Sequence, residues 1–151
     1  MPFSTAYAND ILNYLFAKTA SLSAPAAVYI GLSSNDPEAD GGTFTELSGN
    51  GYSRVLIAQR GATYPGLMNN ASARAITNGL QINWTKATMG WVEAKGLGLF
   101  SAASGGAPFF YCKLEEPVTC VAGAVVLFDP YTLRISFPTT DVEEAAAAVS
   151  E

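Results

Sequence analysis

The chain has 151 residues, of which 49% are hydrophobic and only 14% charged, with a net charge of −5 and no histidine. That length fits one core able to bury roughly 70% of its unfolded surface, and so low a charged fraction, against about 25% in an average soluble domain, marks a surface covered by partners. Missing histidine removes the commonest general base, the usual activator of Ser or Cys and the most frequent metal ligand, while eight basic residues scattered from Lys18 to Arg134 offer no cluster for phosphates, so direct nucleic-acid binding is not expected.

The opening residues MPFSTAYAND carry no early Lys or Arg, so no export signal is expected. Tyr7, Ile11 and Leu15, with Leu12 and Phe16 beside them, recur at helical spacing opposite Asn9, Asp10, Asn13 and Lys18, which predicts an amphipathic helix over Thr5–Thr19. Ser4 or Thr5 is its N-cap, and Ser21, Ser23 and Pro25 end it.

Beyond the helix, β-branched and aromatic runs alternate with Gly, Pro, Asn and Asp, the pattern of an antiparallel sandwich or barrel. The predicted strands are Ala27–Ser33, Tyr52–Ala58, Gln81–Thr85, Trp91–Phe100, Pro108–Leu114, Thr119–Phe128 and Thr132–Phe137, with a further short one at Ala73–Ile76. The polarity and glycines of Ser34–Asn50 predict a surface loop, and Gly61–Gly79 is a second long connection. SAASGG at Ser101–Gly106 and Glu115-Glu116-Pro117 read as turns of a meander, and Asp129-Pro130 as the turn before the last strand. The longest apolar run, Val121–Phe128, is far short of the roughly 20 residues that span a bilayer, so no membrane anchor is expected. After Phe137 the composition becomes acidic and Ala-rich, with capping-box spacing between Thr140 and Glu143. The fold class is therefore mainly β: an antiparallel β-sandwich, jelly-roll-like or Greek key, of about 7–8 strands in one domain over 1–137, with an N-terminal amphipathic helix and a C-terminal tail over 138–151.

Several groupings invite a chemical reading. Asp36, Glu38 and Asp40 alternate like calcium ligands, but the terminal bidentate Glu of an EF-hand is missing and Pro37 removes a loop amide, so a solvated acidic turn is the reading and no metal is assigned. Cys112 and Cys120 lie equidistant from Glu116, so a hairpin there would set them opposite one another at disulfide range; a reduced pair packed as small apolar side chains is the first reading and a disulfide the second. No His is present to activate either thiol, and Glu115 and Glu116 would point to opposite faces of a strand. No catalytic residue and no cofactor are assigned. Trp84, Trp91, Phe109, Phe110 and Tyr111 form core rather than a stacking platform for sugars or single strands. Gly96 and Gly98 in AKGLGLF lack the third glycine and the following helix of a phosphate loop, and mark close backbone packing.

In order along the chain, the segments FSTAY, LNYLF, VYIGLSSNDP, DGG, LSGNGYSRV, INW, ATMGWVEAKGLGLF, SAASGG and LRISF resemble a family of small accessory structural proteins of tailed-phage virions, over Phe3 to Phe137. Family members open with a short helix and continue with L-Y-x-G-L-S-x-x-D-P, an Asp-Gly turn and S-G-x-x-Y-x-R-V. Two departures stand out: Glu46-Leu47 where relatives often have Glu-Pro, and the acidic extension beyond the final strand.

The resemblance implies a non-enzymatic virion component assembled in the host cytoplasm. Members are usually labelled tail-fibre proteins and are similar to head decoration or cement proteins. Fibre shafts show repeats or triple-stranded periodicity, and this chain has neither; a capsid decoration subunit on the major capsid protein lattice is therefore the first expectation, a tail-fibre or tail-tip accessory protein the second and a glycan-binding module the third. Expected partners are the major capsid protein or tail proteins and further copies of the chain, with a trimer the first state to test. The surfaces assigned to those contacts are the helix, the loop with Asp36, Glu38, Asp40 and Glu46, and the tail with Val142, Glu143 and Glu144.

Overall fold

The computed structural model describes residues 3–22, 24–61 and 66–136. They form α1 (Thr5–Leu15), β1 (Ala27–Ser33), β2 (Val55–Gln59), β3 (Ala75–Thr77), β4 (Ile82–Asn83), β5 (Ala94–Phe100), β6 (Phe110–Val118), β7 (Leu127–Phe128) and β8 (Arg134–Ser136). All pairings are antiparallel: a four-stranded sheet in the order β2-β1-β5-β6, and two-stranded sheets β3–β8 and β4–β7. The pairs β3–β8, β4–β7 and β5–β6 nest inside one another along the chain, the wrapping of a jelly roll.

Period-2 alternation sorts the central strands into two faces. Ile30 and Leu32 of β1 and Leu97 and Leu99 of β5 join Ile57, Ile82, Trp84, Phe110, Val126 and Leu133 in one buried cluster between the large sheet and the small ones. The other face of β1 and β5 is built from Gly31, Ser33, Gly96 and Gly98, with Gly31 opposite Gly98 and Ser33 opposite Gly96. That face is buried too. Residues 34–50 fold down on it: a Cβ on Gly98 would lie 2.7 Å from Phe44, and one on Gly96 would collide with Ser33 Oγ, Pro37 Cδ and the Asn35 carbonyl. The loop that polarity and glycines place at the surface thus forms a third layer over a glycine floor, with Pro37 and Leu47 buried.

The helix begins as expected, with Ser4 Oγ accepting a hydrogen bond from the Tyr7 amide at 3.3 Å. It ends at Leu15 instead of Thr19, because Ala17 turns left-handed (φ 55°) and the Lys18 amide bonds back to the Asn13 carbonyl at 2.7 Å. That is a Schellman closure with alanine in the place glycine usually takes.

Three further expectations are corrected. Glu115-Glu116-Pro117 does not turn the chain; β6 runs on to Val118, and Leu114–Pro117 bulge opposite Lys95, since Ala94 pairs with Val118 and Gly96 with Lys113. A proline without an N–H fits such a bulge as readily as a turn. Of Thr119–Phe128 only Leu127–Phe128 is strand; the meander stops at β6 and β7 pairs with β4 instead. The remaining strands keep their places but are mostly shorter. The short strand near Ala73 lies at Ala75–Thr77, against β8. No helix among the described residues is long and apolar enough to cross a membrane.

Candidate functional site

The most fully built polar cluster centres on Arg54, two residues after Tyr52 and therefore on the same side of an extended chain. Its side chain is only 2% exposed. Arg54 Nε donates to Glu46 Oε1 and Nη2 to Glu46 Oε2, both at 2.7 Å, while Nη1 donates to the carbonyls of Ala102 at 2.8 Å and Gly105 at 2.9 Å. The guanidinium carbon stands 3.4 Å from the Phe100 ring centroid, adding cation–π attraction to the paired fork. Tyr52 Oη donates to Glu46 Oε1 at 3.0 Å and accepts from the Leu32 amide at 2.8 Å. Burial, together with the neighbouring Glu46 carboxylate, pushes the Tyr52 phenol well above its ordinary range, so it stays a neutral donor.

This cluster fixes two surface segments at once. Glu46 anchors the loop over the glycine floor, and the two carbonyls hold Ser101–Gly106, which composition alone reads as a flexible turn. Gly31 makes room for it, since a Cβ there would stand 3.0 Å from Glu46 Oε1, Tyr52 Oη and Phe100 Cε2. The sequence motif S-G-x-x-Y-x-R contains Tyr52 and Arg54, but their partner Glu46 is visible only once the loop has closed.

The acidic loop is locally self-satisfied. Asp36 Oδ1 accepts from the amides of Glu38 at 3.0 Å and Ala39 at 3.2 Å, and Asp40 Oδ2 accepts from Asn35 Nδ2 at 2.7 Å. Asn35 also ties Thr43 and Thr45, closing the loop base. Glu38 is exposed, and Lys113 approaches Asp36 at 3.9 Å from the solvent side. Among the described residues no group of three or more Cys, Asp or Glu is placed to hold a metal ion.

The two cysteines are separate free thiols. With no hairpin at Glu116, Cys112 sits opposite Leu97 on β6, and Cys120 is buried beyond it, its thiol facing the Ala124 carbonyl at 3.7 Å. Burial raises the Cys112 pKa to about 11, helped by the carboxylates of Glu38 and Asp36, and burial raises that of Cys120 as well. Neither is a poised nucleophile at neutral pH. Cys112 opens on a groove of about 390 Å³ between β6 and β7–β8, floored by Leu97, Leu114 and Phe128.

Of the aromatic residues, Trp84 and Phe110 are buried, while Phe109, Tyr111 and Trp91 are half-buried, Trp91 donating to the Asn50 carbonyl at 3.0 Å. Val142, Glu143 and Glu144 lie outside the described residues. These features define a scaffold class: a β-sandwich whose buried Arg54 pairs with Glu46 and holds two surface loops. A family model described as "Podophage GP4 fiber I protein gp80" matches residues 2–136. The chain belongs to that family and is a phage structural protein. No curated protein matches the chain.

Proposed function

We propose that the protein is a non-enzymatic component of the tail fibres of a tailed-phage particle. The observation that carries this reading is the family match over residues 2–136, described by the name of a podophage fibre. It favours a tail location over the head-decoration reading that follows from lacking fibre repeats. The internal geometry is in keeping with a structural scaffold: Arg54, Glu46 and Tyr52 direct their hydrogen bonds to holding loops in place. Mass spectrometry of purified particles, with immunogold labelling, tests it. Copy number should be a small fraction of the major capsid protein with gold on the tail; a ratio near one with gold spread over the head would overturn the reading.

A further inference from the structure

Asn-Gly occurs twice in the chain, at Asn50-Gly51 and at Asn78-Gly79. In an unfolded chain the pair is labile: glycine has no side chain to hinder its amide nitrogen, which can reach the carbonyl carbon of the asparagine side chain and close a cyclic imide. The fold treats the two pairs oppositely. Asn78 is fully buried, its Nδ2 donating to the carbonyls of Leu80 at 2.9 Å and Asp129 at 2.8 Å and its Oδ1 accepting from the Leu133 amide at 2.9 Å. The Gly79 amide, which would have to attack, donates to the Leu67 carbonyl at 2.8 Å. Bringing the two groups together breaks all of these bonds and undoes the join between residues 78–80 and 129–133, so it waits on unfolding of the core.

Asn50 and Gly51 are instead the exposed central residues of a tight turn, with φ of 55° and 84°, which the Tyr52 amide closes on the Gly49 carbonyl at 2.9 Å. Positive φ at both central positions is the form that Asn-Gly favours, and closing such a turn makes no use of the second central amide. The Gly51 amide accordingly donates to no group among the described residues.

The turn must swing out of its left-handed conformation before the nitrogen can meet the side chain. What that opening gives up is a clasp on the segment 87–91: Asn50 Nδ2 donates to the Gly90 carbonyl at 3.0 Å, and the Asn50 carbonyl accepts from the Thr88 amide at 2.9 Å and from Trp91 Nε1 at 3.0 Å. Asn50, Thr88 and Gly90 are exposed and Trp91 is half-buried, so water takes over these bonds and the turn opens locally while the core stays intact.

We propose that Asn50 is a site of spontaneous deamidation in the folded protein, while the same dipeptide at Asn78 is protected. The Gly51 nitrogen, having given its proton to hydroxide, bonds to Asn50 Cγ; the Cγ–Nδ2 bond breaks and ammonia leaves. Water then opens the imide at either carbonyl, giving aspartate or, with the main chain routed through Cγ, isoaspartate. One water is consumed, one ammonia is released and one negative charge is gained. The carboxylate can no longer donate to the Gly90 carbonyl, and the isoaspartyl form lengthens the backbone by a methylene at the residue whose carbonyl holds Thr88 and Trp91. The clasp between the turn before β2 and the segment 87–91 therefore loosens with age. The inference stands independently of where on the particle the protein sits.

The test holds the full chain at mildly alkaline pH, folded in buffer and unfolded in urea, and follows both asparagines over time by peptide mass spectrometry, with chromatography separating aspartyl from isoaspartyl products. In urea the two sites should react at rates within a few-fold of each other, since both are then plain Asn-Gly. In the folded protein Asn50 should react at least ~100-fold faster than Asn78, whose reaction is limited to the small unfolded fraction. Asn50 reacting no faster than Asn78 in the folded protein, whether both are inert or both react, would overturn the proposal. The consequence is read separately by thermal melts. Asn50→Asp, which carries the product's charge on an ordinary backbone, should melt below wild type, and aged protein rich in isoaspartate lower still; identical melting of all three would show that the turn does not clasp the segment 87–91.

Discussion

A guanidinium with 2% of its side chain exposed is stable only while its partners remain. Glu46→Ala leaves Arg54 buried without its carboxylate, and should lower the urea unfolding free energy by about 3 kcal/mol, towards the low end for a broken buried pair because Glu46 itself is partly exposed. Arg54→Lys keeps the charge but loses the fork and the stacking on Phe100, and should fall between wild type and Glu46→Ala. A loss under ~0.5 kcal/mol in Glu46→Ala would show that water replaces the carboxylate. The contributions of Tyr52, Cys112 and Cys120 to the pH dependence lie on the alkaline side. All three bind their protons more tightly folded than unfolded, so their contribution is full below the ordinary thiol and phenol range and is lost as pH rises. The melting temperature should hold from pH 7 to about 8.5 and fall beyond about 9, where unfolded Cys and then Tyr begin to ionise. Cys112→Ala should flatten the part of that fall below about 11, the folded-state value of its thiol; an unchanged slope would assign the alkaline loss to other groups.

Among the elements, β5 makes the strongest demand on sequence, because one face must be apolar and the other nearly flat. Gly96→Ala sets a Cβ against the Asn35 carbonyl and Pro37, neither of which can rotate away, and should cost about 2–3 kcal/mol. Gly98→Ala meets the Phe44 ring, which can tilt, and should cost less. Equal losses in chemical denaturation would mean that the loop layer shifts as a unit. The glycines themselves were legible as sites of close approach. What approaches them was not, since it comes from a loop some sixty residues earlier whose polar composition reads as solvated. Glu115-Glu116-Pro117 carries the residue types of a turn and of a bulge alike, and the pairing of Ala94 with Val118 is what selects the bulge.

For the molecule as a whole, the last described strand, β8, closes against β3 and ends at Ser136. Deleting Pro138–Glu151, which removes none of the described strands, should leave a cooperative melt within a few degrees of wild type, by calorimetry or circular dichroism, and weaken incorporation into particles. A broad, non-cooperative transition would place that segment in the core. The helix belongs to this scale too: the sequence showed its apolar stripe, and only its placement at the end of the sheet, tied through Phe3, Ser4 and Tyr7 to Phe109 and Phe110, showed that Leu12, Leu15 and Phe16 are left exposed.

By itself the sequence determined what local physics determines. The helix start follows from a hydroxyl cap and a 3.6-residue stripe, the central strands from alternation, the connections from Gly, Pro and Asp, and all of these act within a few residues. The family resemblance was legible on the same terms, as short motifs in order. Only the tertiary structure decided which strand pairs with which, that Cys112 faces Leu97 instead of Cys120, and that an acidic loop becomes a third layer pinned by Arg54. Those outcomes depend on contacts between segments far apart in the chain, such as β3 with β8, where many pairings satisfy the same local pattern and the shared burial of two faces selects one.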